Sequence, residues 1–212
     1  MIERLKALFA VLVSPRLLKA LVSFRYSGYL LDVGWFEAFR RRMPVRGSGE
    51  PIPWTTYPFL EFIEPRLWRD LRIFEYGCGN STLFWAARAA TVAAVEHDAL
   101  WAARIGKMLP PSARVAHAPQ GSVAYPDAVR EGAPWDIVVV DGVDRNACLE
   151  RAVDALSQGG VIVLDDSERP EYATNILRER KFRRLDFWGI SPGYWYRKCT
   201  SVFYRDGNAL GV

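Results

Sequence analysis

Apolar positions along this chain follow two rhythms. Short apolar-rich runs stand at 71–76 (LRIFEY), 91–96 (TVAAVE), 113–117 (ARVAH), 135–141 (WDIVVVD) and 160–166 (GVIVLDD). The fourth is nearly continuous, as expected of a central parallel strand with both faces buried. Between the runs, apolar residues recur at helical spacing. Phe59, Phe62, Ile63 and Leu67 share one side of a predicted helix over roughly 58–69. Further helices are predicted from about Ser81 to Ala90, Asp98 to Leu109 and Arg145 to Ser157. In the last of these, Leu149, Val153 and Leu156 fall at i, i+4 and i+7, and Gly159-Gly160 reads as its stop. Pro170 suits the first turn of another helix. Residues 118–134 read as a loop with one helical piece.

The end of the chain breaks the alternation. RRLDFWGI and TSVFYRD are strand-like runs joined by SPGYWYRK, a Pro-Gly turn, which predicts an antiparallel hairpin. The fold class is therefore α/β: a doubly wound, mostly parallel seven-stranded sheet ending in an antiparallel hairpin. In such sheets the ligand sits beyond the carboxyl ends of the strands, where the strand order reverses.

GSGEP at 47–51 marks a break, dividing a basic, helical N-terminal extension (1–50) from the sheet domain (51–212). The extension carries apolar residues at helical spacing: Ile2, Leu5, Phe9, Leu12 and Val13, then Leu17, Leu18, Leu21 and Val22 after Pro15. Residues 1–46 hold nine Lys/Arg against three acids, +6, which leaves −2 for the rest of a chain whose net charge is +4. The uncharged run Ala7–Pro15 is too short to cross a bilayer, and no small-residue cleavage site follows it. Three destinations stand open for this segment. Residues 1–24 suit an anionic membrane surface as a basic amphipathic helix, the body of this protein, or a second copy in a homodimer.

Half of the 212 residues are hydrophobic, 13% are aromatic and 25% carry mixed charge, enough for one well-filled core and unlike a disordered chain. Cys78, Cys148 and Cys199 are odd in number and widely spaced, without zinc-ligand spacing or a disulfide framework, which points to a reducing, cytoplasmic compartment. With the basic excess confined to the extension, the domain offers no nucleic-acid face.

Chemistry concentrates in FEYGCGNST at 74–82. A phosphate loop would need GxxxxGK[ST], and a dinucleotide turn would need a third glycine where Thr82 stands. Glu75, two residues before Gly77 at a strand end, would repel a pyrophosphate but can orient an ammonium group. Glu96 ends the second strand 19 residues after Gly77, where a carboxylate can accept both hydroxyls of a ribose. The helix after Gly79 offers the free N–H groups of Asn80, Ser81 and Thr82 to a carboxylate. An ammonium, a carboxylate and a ribose diol with no phosphate describe S-adenosylmethionine. The bland reading, a structural turn, stands beside it.

On EYGCGNST, VEHD (95–98), DIVVVDG (136–142) and the closing hairpin, residues 54–205 resemble the class I S-adenosylmethionine-dependent methyltransferases. The resemblance implies that Gly77 and Gly79 let the cofactor approach the backbone and that Glu96 binds its ribose. It also implies that His97 and Ser122 lie near the adenine and that Asp141 contacts cofactor or acceptor. Trp54, Thr56 and Tyr57 would belong to a lid over the site.

Asp141 ends the fourth strand run, and Asp165 and Asp166 end the fifth. Three carboxylates at one edge repel each other unless a cation sits among them, and hard oxygen ligands suit Mg²⁺. This arrangement is similar to the cation-dependent O-methyltransferases, which implies a metal-held acceptor hydroxyl. Those enzymes carry a lysine base where this chain has Asp144, so the base is Asp144, His97 or the metal-bound acceptor itself. A metal-free Asp141 and a capping box from Asp165 to Glu168 are the alternative. The acceptor is read as a small-molecule or saccharide hydroxyl, with Tyr57 and Trp188 as substrate contacts. Two other functions compete: a nicotinamide-dependent oxidoreductase, and a non-catalytic S-adenosylmethionine-binding module.

Overall fold

The apolar runs all become strands: β1 Arg72–Tyr76, β2 Thr91–Glu96, β3 Ala113–His117, β4 Trp135–Val140, β5 Leu156–Asp165, β6 Arg183–Gly189 and β7 Lys198–Tyr204. The computed structural model describes residues 2–212, the side chains at 2, 4, 7 and 8 excepted; the side chain of Ile2 thus lies outside the described residues. One seven-stranded sheet forms in the order β3-β2-β1-β4-β5-β7-β6. β1 to β5 run parallel, and β7 enters antiparallel between β5 and β6. The order reverses between β1 and β4, so the crevice opens there.

Side chains alternate between two cores, one on each face of the sheet. Ile73, Ile137, Val139, Val161 and Val163 pack on one face against α5 (Tyr57–Ile63) and α6 (Asn80–Ala86). Phe74, Tyr76, Val138, Val140, Ile162 and Leu164 pack on the other against Cys148, Leu149 and Ala152 of α9 (Arg145–Ala155). Each such residue is essentially solvent-free, worth about 1.5–3 kcal/mol of transfer free energy.

The other helices are α1 (Ile2–Leu12), α2 (Pro15–Tyr26), α3 (Tyr29–Asp32), α4 (Trp35–Arg41), α7 (Ala99–Gly106), α8 (Ala124–Asp127) and α10 (Asn175–Glu179). α7 begins where Asp98 accepts from the N–H groups of Leu100 and Trp101 at 2.8 and 2.9 Å.

Three expectations are corrected. Gly159 and Gly160 do not stop a helix: α9 ends at Ala155 and β5 starts at once. They lie inside β5, and crowding demands glycine there: a Cβ on Gly160 would come within 2.7 Å of the Trp135 carbonyl oxygen, and one on Gly159 within 3.1 Å of that of Gly207. No helix starts at Pro170, because Asn146 pins the following turn. Its Nδ2 donates to the Glu171 carbonyl at 3.0 Å and its Oδ1 accepts from the Ala173 N–H at 2.8 Å. Nor does Glu168 close a capping box; it accepts from the backbone N–H of Cys199 at 2.8 Å, tying this turn to β7.

The extension divides in two. Ala38 and Val45 are buried, a Val45–Pro51 bridge closes the GSGEP turn, and Arg46 pairs with Glu64 at 2.5 Å. Residues 35–50 therefore pack on the sheet domain. In contrast, no described side chain of α1 or α2 is buried. Among the described residues, Arg25 reaches the body, with its guanidinium 5.3 Å from the centroid of the Phe36 ring, while the apolar side chains of α1 and α2 stay uncovered.

Candidate functional site

β1, β2 and β4 end side by side, and their last residues and turns enclose a cavity of about 260 Å³. Glu75, Gly77, Cys78, Ser81, Glu96, His97, Asp141, Gly142 and their neighbours line it. The turns after β1 and β4 touch back to back. Gly77 takes φ 90°, and a Cβ there would lie 3.3 Å from the Gly142 Cα. A Cβ on Gly142 would overlap the Tyr125 hydroxyl at 2.1 Å and approach the Gly77 nitrogen at 2.9 Å. Both positions need glycine for this close approach.

Glu75 is buried at the floor. Its carboxylate accepts from Thr82 Oγ1 at 2.5 Å and from Trp85 Nε1 at 3.2 Å. Burial pushes its carboxyl up to about 7, against the pull of hydrogen bonds from Ser81, Thr82 and Trp85. The Thr82 hydroxyl is engaged within the turn, for its Oγ1 also accepts from the Gly79 N–H at 2.9 Å. Asn80 likewise turns outward, donating to the Pro44 carbonyl at 2.8 Å and fastening the extension to the turn. A Cβ on Gly79 would meet nothing within 4 Å, so crowding does not dictate glycine there.

Glu96 holds the turn together from the other side. Oε2 accepts from the Cys78 N–H at 3.1 Å, and Oε1 accepts from the N–H groups of His97 and Asp98 at 2.8 and 3.0 Å. His97 Nδ1 lies 2.6 Å from Oε1, with its side chain 41% exposed. The Cys78 thiol is pushed far up by burial and by Glu96 and Glu75, so it stays neutral.

Asp141, Asp165 and Asp166 do meet at one edge, as expected, but protein cations stand among them. Lys198, at the start of β7, bonds Asp165 and lies 2.7 Å from Asp166 Oδ1. Arg145 lies 3.0 Å from Asp141 Oδ1 and 3.8 Å from Asp166 Oδ2. Thr200 donates to the second oxygen of Asp165 at 2.6 Å. The Mg²⁺ expectation is corrected here: the Lys198 ammonium occupies the cation's place, and no metal-holding cluster exists among the described residues.

Charge counting explains the titration of this group. Lys198, Arg145 and Arg169, the last 2.8 Å from Asp166 Oδ2, face the three carboxylates, but Lys198 and Arg169 serve Asp165 and Asp166 and leave Asp141 with Arg145 alone. Burial would lower Lys198, but Asp165, Asp141 and Asp166 raise it and keep it an ammonium. Burial would raise Asp166, but Lys198 and Arg145 bring it below the ordinary carboxylate value. Burial and the neighbouring Asp165 push Asp141 up to about 7, although 27% of its side chain is open to the cavity edge.

Other expected contacts fall elsewhere. Ser122 and Asp144 line a separate hollow of about 530 Å³, outside the glycine-turn cavity. Ser122 Oγ donates to the Pro119 carbonyl at 2.6 Å, and Asp144 accepts from the Gly121 N–H at 2.7 Å, bracing the loop after β3. Asp144, expected as a base, thus braces this loop outside the glycine-turn cavity. The Tyr57 ring is buried against α3, edge-on to Tyr29 at 6.3 Å. Trp188 stands on the sheet's edge strand with the Arg197 guanidinium over its ring at 4.3 Å.

Sequence reasoning passed over Arg145, Gly142 and Lys198. A DG pair after an apolar run signalled Gly142, and a basic residue opening a strand was the only signal for Lys198.

No family model matches this sequence, and no curated protein matches it. Solved structures do resemble it. The O-methyltransferase TomG from Streptomyces achromogenes, involved in tomaymycin synthesis and solved with SAM, has a TM-score of 0.56 at 17% identity, covering 88% of this chain and 95% of its own. Precorrin-6y C5,15-methyltransferase from Geobacter metallireducens has a TM-score of 0.54 at 14% identity, over 70% and 87%. Precorrin 8W decarboxylase from Methanobacterium thermoautotrophicum has 0.52 at 18%, over 77% and 96%. The chain has the Rossmann-like fold of the class I S-adenosylmethionine-dependent methyltransferases, as the sequence predicted.

Proposed function

We propose that this protein is an S-adenosylmethionine-dependent methyltransferase acting on a hydroxyl of a small-molecule or saccharide acceptor. One observation carries the cofactor reading. The glycine-turn cavity presents Glu75, Glu96 and Asp141 with no Lys or Arg in its lining, so it suits a ligand bearing cationic groups and disfavours a pyrophosphate. The same sheet holds SAM in TomG, whose description as an O-methyltransferase favours oxygen as the target.

An acceptor fits next to it. A cleft of about 630 Å³ lies between α4 and the β6–β7 turn, lined by Phe39, Arg42, Trp54, Tyr194, Trp195 and Tyr196. Trp54 stacks on Tyr194 with centroids 5.4 Å apart, and the Trp54 carbonyl lies 3.4 Å from Lys198 Nζ. Lys198 thus links the cleft to the carboxylates at the strand ends. Flat aromatic walls suit a ring or a sugar face. Thr55, Tyr57 and Ser191, on the two segments that meet here, have buried hydroxyls without partners among the described residues.

When bound, the cofactor supplies a methyl group already activated on sulfonium, so transfer to oxygen breaks the carbon–sulfur bond and leaves S-adenosylhomocysteine. Glu96 would orient the ribose, and Glu75 the ammonium through Ser81 or water. Asp141 takes the proton that the acceptor hydroxyl loses. Lys198 and Arg145 hold Asp166 ionised, and the proton goes to Asp141, poised near 7 and partly open at the cavity edge, whereas Glu75 is buried at the floor. No step runs through a metal.

The active form carries Asp141 as carboxylate, so single-turnover methyl transfer should rise with pH through about 7 and then level. Asp141→Asn should lower the rate by about 10²–10⁴-fold and erase that midpoint. A flat wild-type profile would remove Asp141 as the base.

The reading itself is tested by titration calorimetry with S-adenosylhomocysteine, with NAD on the same sample, followed by labelled methyl transfer to a panel of phenols and sugars. Binding of S-adenosylhomocysteine alone and a labelled ether product are expected. Binding of NAD alone would return the oxidoreductase reading, and cofactor binding without transfer to any hydroxyl would leave the non-catalytic module.

A further inference from the structure

We propose that α1 and α2 form a docking surface for an anionic lipid bilayer. The inference is independent of the chemistry at the strand ends. α1 and α2 are helices of 11 and 12 residues joined at Ser14, which accepts from the Leu17 N–H, with Pro15 in the first turn. Leu5, Phe9 and Leu12 recur along one side of α1. Leu17, Leu18, Leu21, Val22 and Phe24 form the corresponding stripe of α2. All eight are exposed, from 41% at Leu17 to 66% at Phe9. A folded chain seldom leaves eight large apolar side chains of two successive helices in water, and exposure of this kind marks an interaction site.

Charge selects the occupant. Residues 1–26 hold Arg4, Lys6, Arg16, Lys19 and Arg25 against Glu3 alone. Arg16 and Lys19 lie on the helical face opposite the Leu17–Leu21 stripe, exposed and without an ion-pair partner among the described residues. A symmetric contact with a second copy would bring together two segments that each carry five basic residues against one acid. An anionic lipid surface attracts the same charges and accepts the apolar stripe at the headgroup–acyl boundary. Neither helix spans a bilayer: a 12-residue helix is about 18 Å long against a hydrocarbon thickness of about 30 Å. The helices would therefore lie in the plane of the surface.

The test uses the full chain and sedimentable vesicles, either phosphatidylcholine alone or with about a third phosphatidylglycerol. Binding is expected to the mixed vesicles and to fall steeply in high salt. Each basic residue near an anionic surface is worth about fivefold in partitioning, so Arg16→Gln with Lys19→Gln should cost roughly tenfold or more. Leu17→Asn with Leu21→Asn should abolish binding. Both pairs are exposed, so unchanged circular dichroism and melting are expected to accompany the loss. Equal binding to both vesicle types, or no binding to either, overturns the proposal. So does a concentration-dependent dimer that the leucine variant breaks, which would assign the face to a second copy.

Discussion

Lys198→Met is expected to lower the melting temperature by on the order of 10 °C. Removing one partner of a buried ionic cluster costs about 3–5 kcal/mol, and about 2–4 °C is lost per kcal/mol in a chain of this size. Methionine preserves most of the side-chain volume, so the loss is electrostatic. It leaves the buried Asp165 without its ammonium partner, and Asp166 with Arg145 and the half-exposed Arg169. The sign with pH follows. Uncompensated carboxylates titrate above their unfolded values, so their penalty is absent at low pH and grows as pH rises through the folded values. The deficit should be larger at pH 8 than at pH 5. Millimolar Mg²⁺ should restore part of it in the variant, where an acidic site has been opened, and do nothing to the wild type. A wild-type enzyme inactivated by a chelator, or a variant melting with the wild type, would sink the assignment of Lys198 as the resident cation.

Glu96→Ala should weaken S-adenosylhomocysteine binding about a hundredfold or more, the scale for losing hydrogen bonds to a charged group. The carboxylate does two jobs in the structure. It accepts from three backbone N–H groups and so fixes the turn after β1 against the turn after β2. Its remaining lone pairs are left for a ligand diol, and the exposed His97 must swing aside for Oε1 to take part. Calorimetry separates these contributions when read beside melting curves. A loss of affinity with little change in melting assigns the ligand role, whereas unchanged affinity removes Glu96 from the site.

Much of the fold was legible because burial writes itself into residue pattern. TVAAVE and ARVAH begin and end as strands where they were read, and the continuous WDIVVVD run is the central strand with both faces covered. That Glu75, Glu96 and Asp141 share one cavity was legible for a related reason. An acid ending an apolar strand lies where the chain leaves the sheet, and in a parallel sheet all such ends share one edge.

Contacts between distant segments were not legible. Lys198 is 33 residues from Asp165 and meets it only because β7 inserts antiparallel beside β5, pairing Asp165 with Thr200. Glycine pairs and prolines also misled, since Gly159-Gly160 and Pro170 carry the same local signals whether they end a helix or fill a crowded strand or turn. Local pattern determined the order of elements, the strand ends and the uneven charge of the chain. The three-dimensional structure decided which cation neutralises the acidic edge, that Asp144 braces a loop, and that α1 and α2 keep their apolar stripe uncovered. The physical reason is range. Periodicity and strand ends are set by neighbours within a few residues, whereas charge compensation and exposure depend on what the folded chain brings near.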